Sequence, residues 1–395
     1  MNLRAMQDTI IIEGLHYSSN KPVQVIVEGG IISQIVETNS RNTDCIIAPG
    51  LIDNQVNGYA GIDFSGDNLT HEGIEKVTRA LWREGVTGYL PTLITNAHEN
   101  LLRNFSILSS VQGNEVVAQS IIGYHLEGPY LSGEPGFIGC HPVEYVRRPD
   151  WKQFSLYQAA ARGKIKQITL APEVEGALEF IRLCTENRIV VAIGHTNASA
   201  DRIREAVKAG ARLSTHLGNG CANFLHRHLN PIWAQLDVEE LAATIIADGH
   251  HLPPELMRVI FKIKGKDKTI LTSDVSFPAG MEPGKYFFAG SEVELKESGR
   301  LESTSNNCLA GASFPLRTGV ENMMNLAACT LSQAIDMASK NVAEVYGLND
   351  RGILDVGKRT DVILFELKDK HISVKETYVN GQKVFDRKLE NQHLV

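Results

Sequence analysis

Four side chains have the types and spacing to hold a metal ion and move a proton. His195 and His216 each end a short apolar run, Ile189–His195 and Arg212–His216, and a helix-spaced segment from Ala198 to Ala209 closing on Gly210 separates them. A strand–helix–strand unit of this length places two parallel neighbours in one sheet, so both imidazoles leave the same rim. Glu127 ends another apolar run and is followed by Gly128-Pro129, which turns the chain away. One carboxylate and two imidazoles with an open position for water form a catalytic zinc set that Fe, Co and Mn also accept. Asp274, in TILTSDVS, ends a further run; a carboxylate there can take a proton from an activated water and return it to a leaving group. Each of the four also has a structural reading, as a cap or a buried strand end. Four tips of one rim together favour a single divalent metal per subunit.

Other polar tips surround this set. Gln55 and Asn57 occupy an x-spaced pair where a two-metal site would carry histidines; neutral amides are poor ligands, so one metal is expected. Asp248, His250 and His251 follow another run, and in an extended strand only one of the two histidines faces the site. Arg227, in NFLHRHLNP, is a phosphate partner or surface decoration. Asn219-Gly220 offers backbone N–H groups to an anion or forms a plain turn.

Positioning these tips takes a parallel sheet. Eight apolar runs recur with helical segments between them: Ile46–Val56, Gly88–Ile94, Ile121–Leu126, Ile168–Pro172, Ile189–His195, Arg212–His216, Ala243–Ala247 and Thr269–Thr272. Alternation at this period predicts an α/β fold, a (β/α)8 barrel whose active site lies at the C-terminal strand ends. Short alternating runs before residue 48, with Gly29-Gly30 as a turn, and after residue 350, with Asn380-Gly381 as a hairpin signal, predict one small β-domain built from both termini. The expected division is 1–48 with 350–395, and 49–349.

Composition narrows the partners. A net charge of -7 over 395 residues, with no basic cluster, argues against a nucleic-acid surface. Hydrophobic content of 43% and charged content of 22% are those of a globular protein. No apolar span reaches membrane length, and the six cysteines are scattered without a C-x-x-C pair, so a cytoplasmic location is expected.

The segments PGLIDNQVNG (49–58), GVTGYLPTLIT (85–95), HLEGPYL (125–131), GHTNA (194–198), THLGN (215–219) and ADGHH (247–251), with Asp274 and the ending GILDVGKRTDVILF (352–365), resemble the amidohydrolase superfamily. Within it they are similar to the N-acetylglucosamine-6-phosphate deacetylase family. The resemblance implies a distorted barrel with a small β-sandwich from both termini, and Glu127, His195 and His216 as metal ligands. It implies Asp274 as general base and acid, and His141 as the residue that helps polarise the acetyl carbonyl, with Cys140 beside it in the substrate loop. Asn219, Gly220, Arg227, Asp248, His251 and the loop Leu309, Ala310, Gly311 match substrate positions. The phosphate-binding arginine comes from the partner subunit in that family, which implies a homodimer acting on an amino-sugar phosphate. The segment Gly218-Asn219-Gly220-Cys221 replaces the family's aromatic-Asn-Ala-Met, so a galacto epimer or an unphosphorylated sugar stays open as substrate. Another amide substrate and a non-catalytic sugar-phosphate binder are the further alternatives.

Overall fold

The computed structural model describes residues 9–39, 44–111, 115–304 and 308–392. Eight parallel strands form the central sheet: Leu51–Val56, Val86–Ile94, Tyr124–Glu127, Ile165–Leu170, Val190–Ile193, Leu213–Ser214, Ala242–Ile246 and Thr269–Thr272. Here they are the first to eighth barrel strands. Each is buried on both faces, which is why they read as apolar runs rather than alternating ones. The eighth returns to the first through a parallel bridge between Val56 and Val275, where the Asn57 N–H donates to the Val275 carbonyl at 2.8 Å. Helices such as His71–Arg83, Ala177–Glu186 and Ala200–Ala209 pack outside the sheet. The last of these begins at Ser199, whose hydroxyl accepts from the Arg202 N–H, and stops at Gly210.

A seven-stranded sheet from both termini stands beside the barrel. Its order runs Gln382–Asp386, His371–Val379, Val362–Lys368, Cys45–Pro49, Ile10–His16, Pro22–Glu28 and Ile31–Glu37. Period-two alternation gives its central strands two duties. Ile47, Val362 and Leu364 pack with Ile12, Val25 and Ile32 in a small core of the terminal unit. Ile46, Ala48, Ile363 and Phe365 face the other way, into the main core shared with the barrel. Asn380 and Gly381 both have positive φ, 50° and 77°, as a two-residue hairpin turn requires.

The run Ile46–Val56 is not one barrel strand as its composition suggested. It divides at Gly50, with Cys45–Pro49 in the terminal sheet and Leu51–Val56 in the barrel. A Cβ at position 50 would come within 2.2 Å of the Thr87 side chain, so glycine is needed where the chain passes from one sheet to the other. A three-stranded antiparallel sheet, Gly284–Phe288, Ser291–Leu295 and Leu301–Ser303, follows the eighth barrel strand and has no counterpart among the predicted elements. Its apolar face joins Ile94 and Ala310 over the C-terminal rim of the barrel.

Candidate metal and acid–base centre

Three of the four principal side chains leave their strands through unusual backbone. His195, His216 and Asp274 have φ of 51°, 31° and 53°, a region costly for residues with a Cβ. Gly128, directly after Glu127, has φ of 81°. These turns stop the strands and aim the side chains into one cavity of about 480 Å³ at the C-terminal rim. The positions are held from below. The Thr244 hydroxyl, on the seventh strand, accepts from the His216 N–H at 2.8 Å and donates to the Ser214 carbonyl at 2.9 Å.

Inside the cavity the imidazoles gather on one carboxylate. His216 Nε2 lies 3.1 Å and His195 Nε2 3.5 Å from Glu127 Oε1, and His141 Nε2 lies 3.8 Å from Glu127 Oε2. The ligand atoms of Glu127, His141 and His195 all lie within 4.8 Å of one another. His195 Nδ1 is 3.0 Å from the Phe137 carbonyl, which fixes the proton there and turns the Nε2 lone pair to the cluster. Cβ atoms at Gly139 or Gly220 would each approach this ring to 3.1 Å, so two glycines leave it room.

Gln55 and Asn57 link this cluster to Asp274. Gln55 Nε2 donates to Glu127 Oε1 at 3.0 Å and to Asp274 Oδ1 at 2.8 Å, and Asn57 Nδ2 donates to Asp274 Oδ1 at 2.8 Å. Two buried carboxylates thus share one amide. Burial alone would raise Glu127, yet the His195 and His216 rings beside it and the nearby His141 hold it well below the usual carboxylate range. Asp274 goes the other way: burial raises its pKa, with the Glu127 charge adding to the rise, and His216, His251 and Asn57 offset this only in part. Burial lowers His216, but its bond to Glu127 and the charges of Glu127 and Asp274 reverse that and raise it. Burial pushes His141 down to about 3, so its ring is neutral.

A divalent cation fits this donor set. Two carboxylates and three imidazoles face one another in the cavity, and among the described residues no lysine lines it. A cation among these atoms supplies positive charge where the imidazoles meet the Glu127 carboxylate, through the ligand types that bind zinc and related ions.

The expected substrate residues divide into two groups. Cys140, His141, Asn219, Gly220, His251, Leu309, Ala310 and Gly311 line the cavity. Asp248 stands behind His251, its carboxylate 2.8 Å from His251 Nδ1 and also accepting the backbone N–H groups of His250 and His251. Burial works to raise Asp248, but these bonds outweigh it and lower its pKa. His250 turns away and stacks on Phe314 at 5.6 Å between centroids. The segment that follows the seventh strand is bent rather than extended, so the strand alternation expected for this pair does not apply. Arg227 does not line the cavity of its own chain: it is exposed, and its carbonyl accepts from Trp233 Nε1 at 3.0 Å.

Several residues of the centre carried no clear sequence signal. The bridging role of Gln55 is invisible in a neutral amide at a strand end. Phe288, Ala289 and Arg300 reach the cavity only because the three-stranded sheet folds over the rim. The alternation in GKYFF and SEVEL about Ala289-Gly290 was the available hint. Glu173 lies outside the cavity lining and grips the turn after His195, accepting from the Thr196 hydroxyl at 2.5 Å and the Asn197 N–H at 2.6 Å.

The amidohydrolase family profile matches residues 46–385. An N-acetylglucosamine-6-phosphate deacetylase of Bacillus subtilis (strain 168) is 32% identical over 325 residues, covering 81% of each chain. An N-acetylgalactosamine-6-phosphate deacetylase of Escherichia coli O157:H7 is 32% identical over 368 residues, 91% of this chain and 94% of that one. A crystal structure of N-acetylglucosamine-6-phosphate deacetylase from Pasteurella multocida superposes with a TM-score of 0.84 at 26% identity, covering 95% of this chain and 99% of that chain. Architecture, rim chemistry and sequence agree that the chain belongs to the amidohydrolase family, among relatives that are deacetylases of amino-sugar phosphates.

Proposed function

We propose that this protein hydrolyses the acetamide of an N-acetylhexosamine 6-phosphate, N-acetylglucosamine 6-phosphate first, to acetate and the amino-sugar phosphate. The observation that carries this reading is the convergence of Glu127, His141, His195 and His216 next to Asp274, with Gln55 joining the two carboxylates. Glu127, His195 and His216 hold one divalent ion, zinc, and His141 faces the acetyl carbonyl. That ion supplies Lewis acidity, making water a stronger acid and the carbonyl a better electrophile.

The chain's own groups do the rest. Gln55 and Asn57 both bond Asp274 Oδ1, which leaves Oδ2 as the oxygen for proton transfer. Asp274 takes the proton of the attacking water and later gives it to the departing amine, so the nitrogen leaves neutral. The Thr95 hydroxyl is 3.0 Å from His141 Nδ1; with that hydroxyl donating, Nε2–H points to the carbonyl oxygen and stabilises its developing charge. The Asp248 carboxylate accepts the Nδ1 proton of His251 and so fixes its tautomer, which leaves the outer ring nitrogen as an acceptor for a sugar hydroxyl. Asn219, Gly220 and the Leu309–Gly311 loop line the sugar side. Arg227, outside its own cavity, serves the phosphate in a partner subunit's cavity of a homodimer, and the enzyme works in the cytoplasm. No helix among the described residues is long and apolar enough to cross a membrane, in keeping with that location.

The galacto epimer is the second reading, favoured by the equal identity to the N-acetylgalactosamine-6-phosphate deacetylase. Acetate release from both 6-phosphates and from the two unphosphorylated sugars, with and without a chelator, separates these. Turnover of a 6-phosphate that a chelator abolishes is expected. No release from any of the four sugars by metal-loaded protein contradicts the proposal.

A further inference from the structure

Two thiols at the cavity mouth have no part in this chemistry as a pair. Cys140 lies on the segment after the third barrel strand, and Cys308 opens the stretch that runs alongside Asp274. Their Sγ atoms are 2.9 Å apart although 168 positions separate them in sequence, and Cys140 Sγ also reaches the Leu309 carbonyl at 3.2 Å. Both line the cavity and both are half-buried, so a small solute reaches them from the substrate side. Cys184 and Cys329, in contrast, are buried in the main core. Closing the gap to the ~2.05 Å of an S–S bond requires a shift of about 0.9 Å, within the reach of small side-chain rotations.

We propose that Cys140 and Cys308 form a reversible disulfide that ties the loop carrying His141 to the Cys308–Gly311 stretch and so restricts the cavity mouth. The loop before Cys140 contains Gly136 and Gly139, both at positive φ (88° and 63°), which gives it hinge positions that the bond would immobilise. The Cys308–Gly311 stretch is anchored on its other side, the Ala312 N–H donating to the Asp274 carbonyl at 2.9 Å and the Ser276 hydroxyl to the Ala310 carbonyl at 3.1 Å. A bond between the two therefore fastens a hinged wall to a fixed one.

The oxidant is a low-molecular-weight disulfide. The Cys308 thiolate, favoured by its hydrogen bond from Cys140, attacks one sulfur of that disulfide and releases one thiolate. Cys140, losing its proton to solvent, then attacks the Cys308 sulfur and releases the second thiol. Two protein thiols are oxidised, one small disulfide is reduced to two thiols, and a dithiol reductant reverses the exchange.

The test treats metal-loaded protein with oxidised glutathione, maps peptides without reduction, and measures acetate release before treatment, after it, and after dithiothreitol. A Cys140–Cys308 linked peptide is expected, with turnover reduced by about tenfold or more and restored by dithiothreitol. Cys308→Ser keeps basal turnover and is unaffected by the oxidant. Alkylation of native protein before and after oxidation gives the same reading without a variant, both cysteines becoming protected together. No linked peptide, or glutathione held on one cysteine alone, overturns the bond; a linked peptide with unchanged turnover overturns the switch; equal inhibition of Cys308→Ser overturns the assignment to this pair. The effect on turnover rests on the deacetylase reading, whereas the peptide map does not, so failure of one is distinguishable from failure of the other.

Discussion

Two buried polar layers lie one above the other inside the barrel, and they differ in how their groups are satisfied. In the lower layer His125 Nε2 is 2.8 Å from the Thr169 hydroxyl and 3.0 Å from Gln167 Nε2, while Nδ1 is 3.3 Å from the Thr92 hydroxyl. Thr169 continues to Thr215 at 2.8 Å, and Asn54 donates to Gln167 and to Tyr346. Around this ring neutral donors and acceptors pair with one another, and burial holds His125 uncharged, its pKa pushed down to about 4. In the upper layer Glu127 faces three imidazoles across gaps of 3.1–3.8 Å and shares Gln55 with Asp274. Similar residues at similar depth therefore serve different ends. The lower layer holds the barrel together, and the upper keeps charge density facing a cavity. Burial alone does not separate a structural histidine from a functional one; what its nitrogens face does.

Substitutions in each layer should break this contrast in opposite ways. The largest effect is expected at Glu127: Glu127→Ala removes the group on which three imidazoles converge, so bound metal falls to background and acetate release with it, while the urea midpoint changes little. Elemental analysis of the purified variant checks this.

Asp53, on the first strand within the lower layer, carries the next largest effect. Its Oδ1 accepts from the N–H groups of Gln55 and Ser273 and from the Thr272 hydroxyl, but Oδ2 has no partner. Burial raises its pKa from 3.8 to about 6 despite those bonds. A folded-state pKa above the unfolded one means that this group's contribution is intact below the unfolded value and is lost as pH rises through the folded one. Native stability should therefore fall by about 3 kcal/mol, relative to Asp53→Asn, between about pH 3 and pH 7. Urea unfolding of both proteins across that range measures it; parallel pH profiles would show that Asp53 does not titrate between the two values.

Gln55→Leu sharpens the comparison from the upper side. It removes the amide between Glu127 and Asp274, leaving both in place, so kcat should drop by roughly 10–100-fold with metal still bound. The smallest effect is expected for Thr169→Val in the lower layer. That change costs about 1 kcal/mol in urea unfolding for the lost hydroxyl bonds to His125 and Thr215 and leaves kcat unchanged. A large loss of kcat there, with stability intact, would place the two layers in one functional unit.

How much of this was legible in the sequence varied with the kind of signal. Apolar runs ending in polar residues mark the barrel strands because both faces of a parallel sheet are buried, and the pairing of His195 with His216 follows from one strand–helix–strand unit. The boundary at Gly50 was hidden, because a strand in the terminal sheet and one in the barrel are both apolar at that point and only the clash with Thr87 divides them. The sixth strand is shorter than its composition suggests, Leu213–Ser214 within Arg212–His216, since the backbone at His216 has already left the extended region. Gln55 stands in the sequence as a neutral residue at a ligand position; its part as a donor to two carboxylates depends on Glu127 and Asp274, 72 and 219 positions away. Arg300 carries no such signal, because the sheet that holds it folds over the rim from outside the barrel pattern.

The most direct test of the upper layer compares native protein with Asp274→Asn on N-acetylglucosamine 6-phosphate, with metal content determined on the same samples. One divalent ion per chain in both, with acetate release reduced by roughly 10²–10⁴-fold in the variant, is the predicted result. Near-native acetate release from metal-loaded Asp274→Asn would contradict it, because the proton must then move through another group.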